Sequence, residues 1–369
     1  VVVRSTAMLS VAAIVVSAVA APAFDEPQLP TSVLTVADPR IAEASGLSLS
    51  GDGKRYYTSG DARGDAEVYV IGERGATHLT LTLPPGSNED WEDIATFRSS
   101  DGRGYIYVAD MGDAYFIRRD KGLPARTTFR IVRMDEPSAD KEGSQDAAGV
   151  VSYPVQYSDK AARNSESLLV QPGTGRVFTL DKTEKPEQRA SLWMAPATLE
   201  ERRVNVMRRV VAHVPVLKAS GAAFSPTGDR IVVRNGEKAY VWRVKNDDVA
   251  AAFKGKPIEV DLPSQRQGEG ITFSADGHAL LVNSEGPKQP IWRVPLPKAA
   301  DTETPVVPLE STGGAESGGG SRDMLMIAIA AGSGLLAIGL ITVNVGRIRR
   351  ARRSGTVPSA VAGNDYRAG

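Results

Sequence analysis

A short motif returns along this sequence at intervals near fifty residues, and that period limits the fold more than any other feature. It reads Ser45-Gly46-Leu47, Glu92-Asp93-Ile94, Glu166-Ser167-Leu168, Ser220-Gly221-Ala222 and Glu269-Gly270-Ile271, with first residues 47, 74, 54 and 49 apart. A fixed period of this length marks a fold built by stacking one supersecondary unit on the next. After each motif comes a turn glycine (Gly53, Gly102, Gly175, Gly228 and Gly277) of the kind that closes a β-hairpin. A second strand then rises in each unit: Tyr56 to Ser59, Tyr105 to Ala109, Val177 to Leu180, Ile231 to Val233 and Leu280 to Val282. The third strand carries Tyr69, Val132, Trp193, Trp242 or Trp292, and Leu79 to Leu83, Val150 to Val155, Val206 to Val214 and Pro257 to Leu262 fit fourth strands. Four short strands per unit predict an all-β fold, a β-propeller most simply of five four-stranded blades. The last unit lacks a fourth strand of its own. Ser32 to Val36 stands where a fourth strand precedes the other units, so the N-terminal strand is expected to close the ring, packing Val33, Leu34 and Val36 into it. Val306 to Leu309 is the alternative closing strand, and six blades the alternative count, because the second unit is long.

The flanks read differently. Arg4, an apolar run from Met8 to Ala20, and the small-residue patterns Ala18-Val19-Ala20 and Ala21-Pro22-Ala23 have the layout of a signal peptide over residues 1–23. An uncleaved anchor is the alternative. Residues 24–300 are then an extracytoplasmic propeller and 301–323, rich in Pro, Thr, Ser and Gly, a flexible stalk. Residues 324–345 carry no charge and, at ~1.5 Å per residue, are long enough for a transmembrane helix. Arg347, Arg349, Arg350, Arg352 and Arg353 follow, which places the tail 346–369 in the cytoplasm of a single-pass plasma-membrane protein. Leu309-Glu310-Ser311-Thr312-Gly313 resembles a sortase sorting signal, with Glu310 where Pro or Ala is usual.

Composition excludes several classes. With 44 Lys plus Arg against 44 Asp plus Glu there is no basic footprint for nucleic acid. With no cysteine there are no disulfides, thiolate metal sites or cysteine nucleophiles. The three histidines, His78, His213 and His278, fall at strand ends or turns; no Gly-x-Ser-x-Gly elbow and no Walker loop are present. What remains is acidic. In a propeller the loops that enter the first strands and leave the second strands share one face, around the channel mouth. The entering loops offer Glu43, then Glu89, Asp90, Glu92 and Asp93, then Asn164 and Glu166, then Ser220, then Gln267 and Glu269. The exits add Asp61, Asp110, Asp113, Asp181, Asn235, Asn283 and Glu285. Converging carboxylates repel unless compensated, and a hard cation does that, so Glu43, Glu92, Glu166, Glu269, Asp93 and Asp110 are the expected ligands of a calcium at the mouth. The alternative is that these acids cap strand ends and no cofactor is held. The enlarged second unit, with Arg118, Arg119, Asp120, Lys121 and Arg126, is either a contact loop for a partner or a solvated loop.

The repeat resembles secreted propellers of the WD-repeat, NHL-repeat and phytase-like kinds, through Glu43-Ala44-Ser45-Gly46-Leu47, Asn88-Glu89-Asp90-Trp91-Glu92-Asp93-Ile94-Ala95 and Glu269-Gly270-Ile271-Thr272. The Gly-His and Trp-Asp pairs of true WD repeats are absent. On this reading the chain is a membrane-anchored module that binds a cell-surface protein or a small ligand at its mouth, a scaffold with calcium. The alternative rests on resemblance to phytase-like and gluconolactonase-like propellers, which hold a catalytic metal among carboxylates: a metal-dependent hydrolase of phosphate esters, lactones or other esters. A purely structural cell-surface protein is a third reading.

Overall fold

The computed structural model describes residues 28–60, 66–113, 118, 122–185 and 190–301. The signal-peptide, stalk, sorting-signal, membrane-helix and tail expectations lie outside these residues, as do Asp61, Arg119, Asp120 and Lys121. Among the described residues no helix is long and apolar enough to cross a membrane.

The chain is all-β, and its strands form sets in the order of the repeat. The first set is β2 (Ala44–Leu49), β3 (Tyr56–Gly60), β4 (Glu67–Ile71) and β5 (Thr77–Thr82). The second is β6 (Trp91–Arg98), β7 (Gly104–Asp110), β8 (Phe129–Asp135) and β10 (Val151–Tyr157), interrupted by β9 (Gly143–Asp146). The third is β11 (Ser165–Val170), β12 (Val177–Asp181), β13 (Ala190–Met194) and β14 (Asn205–Val214). The fourth is β15 (Gly221–Phe224), β16 (Arg230–Arg234), β17 (Lys238–Arg243) and β18 (Ile258–Asp261). The last is β19 (Gly268–Phe273), β20 (Ala279–Ser284) and β21 (Pro290–Pro295), to which β1 (Thr31–Thr35) adds from the N-terminus. Within each set successive strands pair antiparallel. Two parallel pairings were not legible in the repeat: β10 with β14, which fuses the second and third sets into one eight-stranded sheet, and β9 with β5, which extends the first sheet to five strands.

The hydrophobic core lies between sets rather than within them. One apolar cluster holds Tyr57, Leu79, Ile94 and Met134 of the first two sets; others hold Phe129 and Trp193, Leu192 and Trp242, and Val232 and Phe273. A fifth joins Leu34, Leu47, Tyr69 and Ile291, so the last set packs on the first. Inner and middle strands are therefore buried on both faces, which is why Leu168-Leu169-Val170 of β11 and Val68-Tyr69-Val70-Ile71 of β4 are continuous apolar runs instead of strict alternations. The arrangement is a β-propeller.

The N-terminal strand closes the last sheet, pairing Leu34 with Ile291. Val33 departs from expectation: it falls in the register irregularity between Ser32 and Leu34 and stays 41% exposed, while Leu34 and Val36 are buried. The five turn glycines all take positive φ, between 65° and 84°, which only glycine adopts without strain. Two short helices, α1 (Val249–Ala252) and α2 (Lys298–Asp301), pack on the apolar clusters through Val249 and Ala252 and through Ala300.

Candidate functional site

The first strands β2, β6, β11 and β19 share a local distortion that β15 lacks. Their pairing with the second strand slips between Ser45 and Ser48, Trp91 and Asp93, Ser165 and Leu168, and Gly268 and Ile271. The β15 to β16 register runs without a shift from Gly221 to Phe224. A bulge of this kind re-aims a side chain out of the regular alternation. Glu92, Glu166 and Glu269 each sit inside one, and all three are buried. The fourth unit has neither the bulge nor the acid.

The side chain that gathers them is Lys182, the residue after β12. Its Nζ lies 2.5 Å from Glu166 Oε2. Burial acts to lower the lysine's pKa, but the charge and hydrogen bond of Glu166, with the charges of Glu269 and Glu92, outweigh it and raise the pKa. The other Glu166 oxygen accepts from Asn164 Nδ2 at 2.7 Å. Burial pushes the Glu166 carboxyl up, with Lys182 opposing and Glu269 adding to the rise. Glu269 is pushed up to about 7, again chiefly by burial, against the lowering effects of Lys182, Gln267 and Arg234. The mouth therefore holds a protonated lysine and a carboxyl group poised near neutrality.

Asp93, next to Glu92, is fully buried and does different work. Oδ1 accepts the Ile94 amide at 2.9 Å, while Oδ2 accepts those of Leu168 at 2.8 Å and Ala222 at 3.2 Å. One carboxyl thus ties the first strands of the second, third and fourth sets at the axis. Burial raises its pKa well above the ordinary value despite these three amides. The last and first sets are joined there by Asn283, which accepts from the Gly270 amide at 2.7 Å and donates to the Gly46 carbonyl at 2.9 Å. A Cβ on Gly270 would stand 2.4 Å from the Gly46 carbonyl carbon, so this glycine is required for the approach.

Asp110 is spent on arginines. It receives Arg126 Nη1 at 3.1 Å and Arg130 Nε at 2.8 Å, and the neighbouring Arg118 pairs with Glu89 and Asp113. The enlarged second unit is thereby pinned to the mouth by ion pairs. Glu43 is exposed. Of the six expected metal ligands, then, the structure gathers Glu92, Glu166 and Glu269 around Lys182, commits Asp93 to backbone amides and Asp110 to arginines, and leaves Glu43 at the surface. Among the described residues no group of three or more His, Asp or Glu side chains is spaced to hold a metal ion. The oxygens of Glu166 already face an ammonium and an amide, so the side chains as placed do not frame a divalent-ion site.

Two basic residues of the mouth were missed by sequence reasoning. Lys182 directly follows Asp181, the exit position that repeat symmetry singles out, so a one-residue offset hid it. Arg234 is fully buried and donates to the carbonyls of Asn235, Gly270 and Asn283 and to Gln265 Oε1, at 2.9 to 3.2 Å. Burial lowers its pKa to about 10, with Glu269 opposing. At the other end of the axis a cavity of about 440 Å³ opens among the turns, lined by Ser48, Thr96, Phe97, Leu168, Ala222 and Phe273. None of Glu92, Glu166, Glu269 and Lys182 lines it.

Fold and site together define a β-propeller with an acidic mouth gathered round one lysine. No family profile matches the chain, and no curated protein matches it. Among solved structures it is similar to a gluconolactonase from Xanthomonas campestris, at 16% identity over 69% of this chain and 73% of that one, with a TM-score of 0.39. It is also similar to a glucose dehydrogenase, at 9% identity over 73% of this chain and 100% of that one, with a TM-score of 0.41. Both carry the names of enzymes. The expectation of a calcium-bearing binding or scaffold module is not what the names of these neighbours support, and it is withdrawn.

Proposed function

We propose that the mouth of this propeller hydrolyses a lactone or other carboxylic ester. The observation that carries the reading is the pairing of buried Glu166 with half-buried Lys182 at 2.5 Å, near Glu269, a carboxyl pushed up to about 7. A general base works best when its pKa lies near the working pH. Ionised Glu269 takes a proton from water as the water oxygen adds to the ester carbonyl carbon. The carbonyl oxygen becomes an oxyanion, which the Lys182 ammonium stabilises through space. Collapse restores the carbonyl and breaks the bond to the leaving oxygen, which takes the proton back from Glu269. Phosphate esters fit less well, because Arg118, Arg126 and Arg130 are already paired with Glu89, Asp110 and Asp113.

The same reading takes the propeller as five-bladed and its mouth as extracytoplasmic, held at a membrane by 324–345 with the arginine-rich tail inside; the five inter-set apolar clusters support the count, and the uncharged run before five arginines supports the topology. The test is a turnover screen of lactones, carboxylic esters and phosphate esters. Lactone or ester hydrolysis is expected, with kcat rising through pH 7 and falling ~10²–10⁴-fold in Glu269→Gln. No turnover across the three classes, or an unaffected Glu269→Gln variant, overturns the reading.

A further inference from the structure

The cavity of about 440 Å³ among the turns takes no part in the chemistry of the mouth, yet it has the size of a small-molecule site, for which about 300–1,000 Å³ is usual. All five first strands wall it, through Leu49 of β2, Ile94 of β6, Leu168 and Val170 of β11, Ala222 of β15 and Phe273 of β19. One side chain pins three of these: the amides of Ile94, Leu168 and Ala222 are the ones Asp93 accepts. Ser48 and Thr96 staple β2 to β6 at the same cavity. Their hydroxyls lie 3.0 Å apart, the Thr96 amide donates to Ser48 Oγ at 3.1 Å, and Thr96 Oγ1 donates to the Leu49 carbonyl at 2.9 Å. The walls are therefore held in place by the fold itself, as those of a pre-formed ligand site are.

The lining also selects a chemistry. Three phenyl rings, Phe97, Phe224 and Phe273, belong to it, and the first two are only half-buried. Its three charged residues, Asp52, Arg98 and Glu136, already have partners. Arg98 Nη2 donates to Glu136 Oε2 at 3.2 Å, and Glu136 Oε1 accepts from the Gly51 amide at 2.6 Å and from the Tyr57 hydroxyl at 3.2 Å. Asp52 accepts from Ser50 Oγ at 2.5 Å and has the Arg55 guanidinium 3.7 Å away. A charged ligand would enter without a counter-charge, which is costly. One polar group is left over: Thr272 lines the cavity, is only 7% exposed, and its hydroxyl has no hydrogen-bond partner among the described residues. A buried hydroxyl left unpaired costs free energy, which a ligand with one matching group recovers.

We propose that this cavity is a second binding site, for a small neutral aromatic molecule that sets its ring among the phenyls and one hydroxyl or carbonyl group on Thr272 Oγ1. The site does not rest on the hydrolase reading, since binding here needs no turnover at the mouth.

The experiment titrates 2-naphthol and naphthalene-2-carboxylate calorimetrically into the full chain at pH 7 and follows melting with each. 2-Naphthol is expected to bind one to one with a Kd below about 1 mM and to raise Tm. The carboxylate should bind at least about tenfold more weakly. Thr272→Val keeps the shape and loses the hydroxyl, so it should weaken 2-naphthol about 3–10-fold. Ala95→Leu and Ala223→Leu enlarge two half-buried lining residues and should abolish binding in the folded protein. A parent that binds no 2-naphthol, its cavity taking water only, overturns the proposal; so does a carboxylate that binds as tightly as the alcohol. Unchanged affinity in Thr272→Val or in a folded filling variant overturns it as well, and if neither filling variant folds, Thr272→Val decides alone.

Discussion

Replacing Asp93 by alanine tests whether the propeller is tied at its axis. In the parent, its carboxyl accepts three backbone amides, at 2.9, 2.8 and 3.2 Å, from strands of three different sets. Alanine leaves all three buried without an acceptor. Each orphaned buried donor costs ~1–3 kcal/mol, so the gross loss is ~3–9 kcal/mol. Removing a carboxyl whose burial already disfavours its charge offsets part of that, which puts the net toward ~3 kcal/mol. For a domain this size that is ~6–12 °C in Tm. Asparagine keeps the shape and one acceptor oxygen but points an NH₂ at the remaining amide, so it should cost less, ~1–3 kcal/mol. The pH dependence has a definite sign. A folded pKa above the unfolded value of 3.8 means that the stability Asp93 contributes is full below that value and is lost as pH rises through the folded pKa. The deficit of Asp93→Asn relative to the parent should therefore be largest in acid and shrink with rising pH. Urea and thermal melts by circular dichroism, run from acid to mildly alkaline pH, read both effects. An alanine variant melting within ~2 °C of the parent would refute the axial tie.

The mouth and the ring closure make further predictions. Glu269, raised from 4.5 to about 7, stabilises the fold below pH 4.5 and loses that contribution through pH 7, so the parent's Tm should fall between pH 5 and 8 more steeply than that of Glu269→Gln. Asp110→Ala takes the nearest carboxylate from the buried Arg126 guanidinium, leaving it Glu89 at 3.7 Å and backbone carbonyls, and should cost up to ~3 kcal/mol in urea melts, with faster proteolysis of the second unit; an unchanged midpoint would show that the ion pairs are ornamental. Leu34→Ala should lower the single global transition by ~2–5 kcal/mol, because Leu34 packs where the last set meets the first; loss of β1 alone, with the rest melting as before, would contradict closure.

Sequence alone determined the repeat, the strands and their order. These are local properties: alternating or continuous apolar runs, turn glycines held at positive φ, and an aromatic at a fixed place on the third strand. Equal repeat position also placed Glu92, Glu166 and Glu269 at one mouth, since rotational stacking turns equal spacing into proximity. Tertiary structure decided what each acid meets. The bulges at Trp91 to Asp93, Ser165 to Leu168 and Gly268 to Ile271 send neighbouring residues in opposite directions, so Glu92 goes to the mouth while Asp93 takes three amides at the axis. The pairing of Asp110 with Arg126 and Arg130 spans 16 and 20 residues through an insertion that has no repeat counterpart. Lys182 likewise shows no pattern in the chain, because a lone lysine beside a strand end reads as solvated until the acids of two other units close around it. Period and pattern are set by contacts along the chain, whereas the charge balance of the mouth is set between units far apart in sequence, Lys182 standing 90 residues after Glu92 and 87 before Glu269.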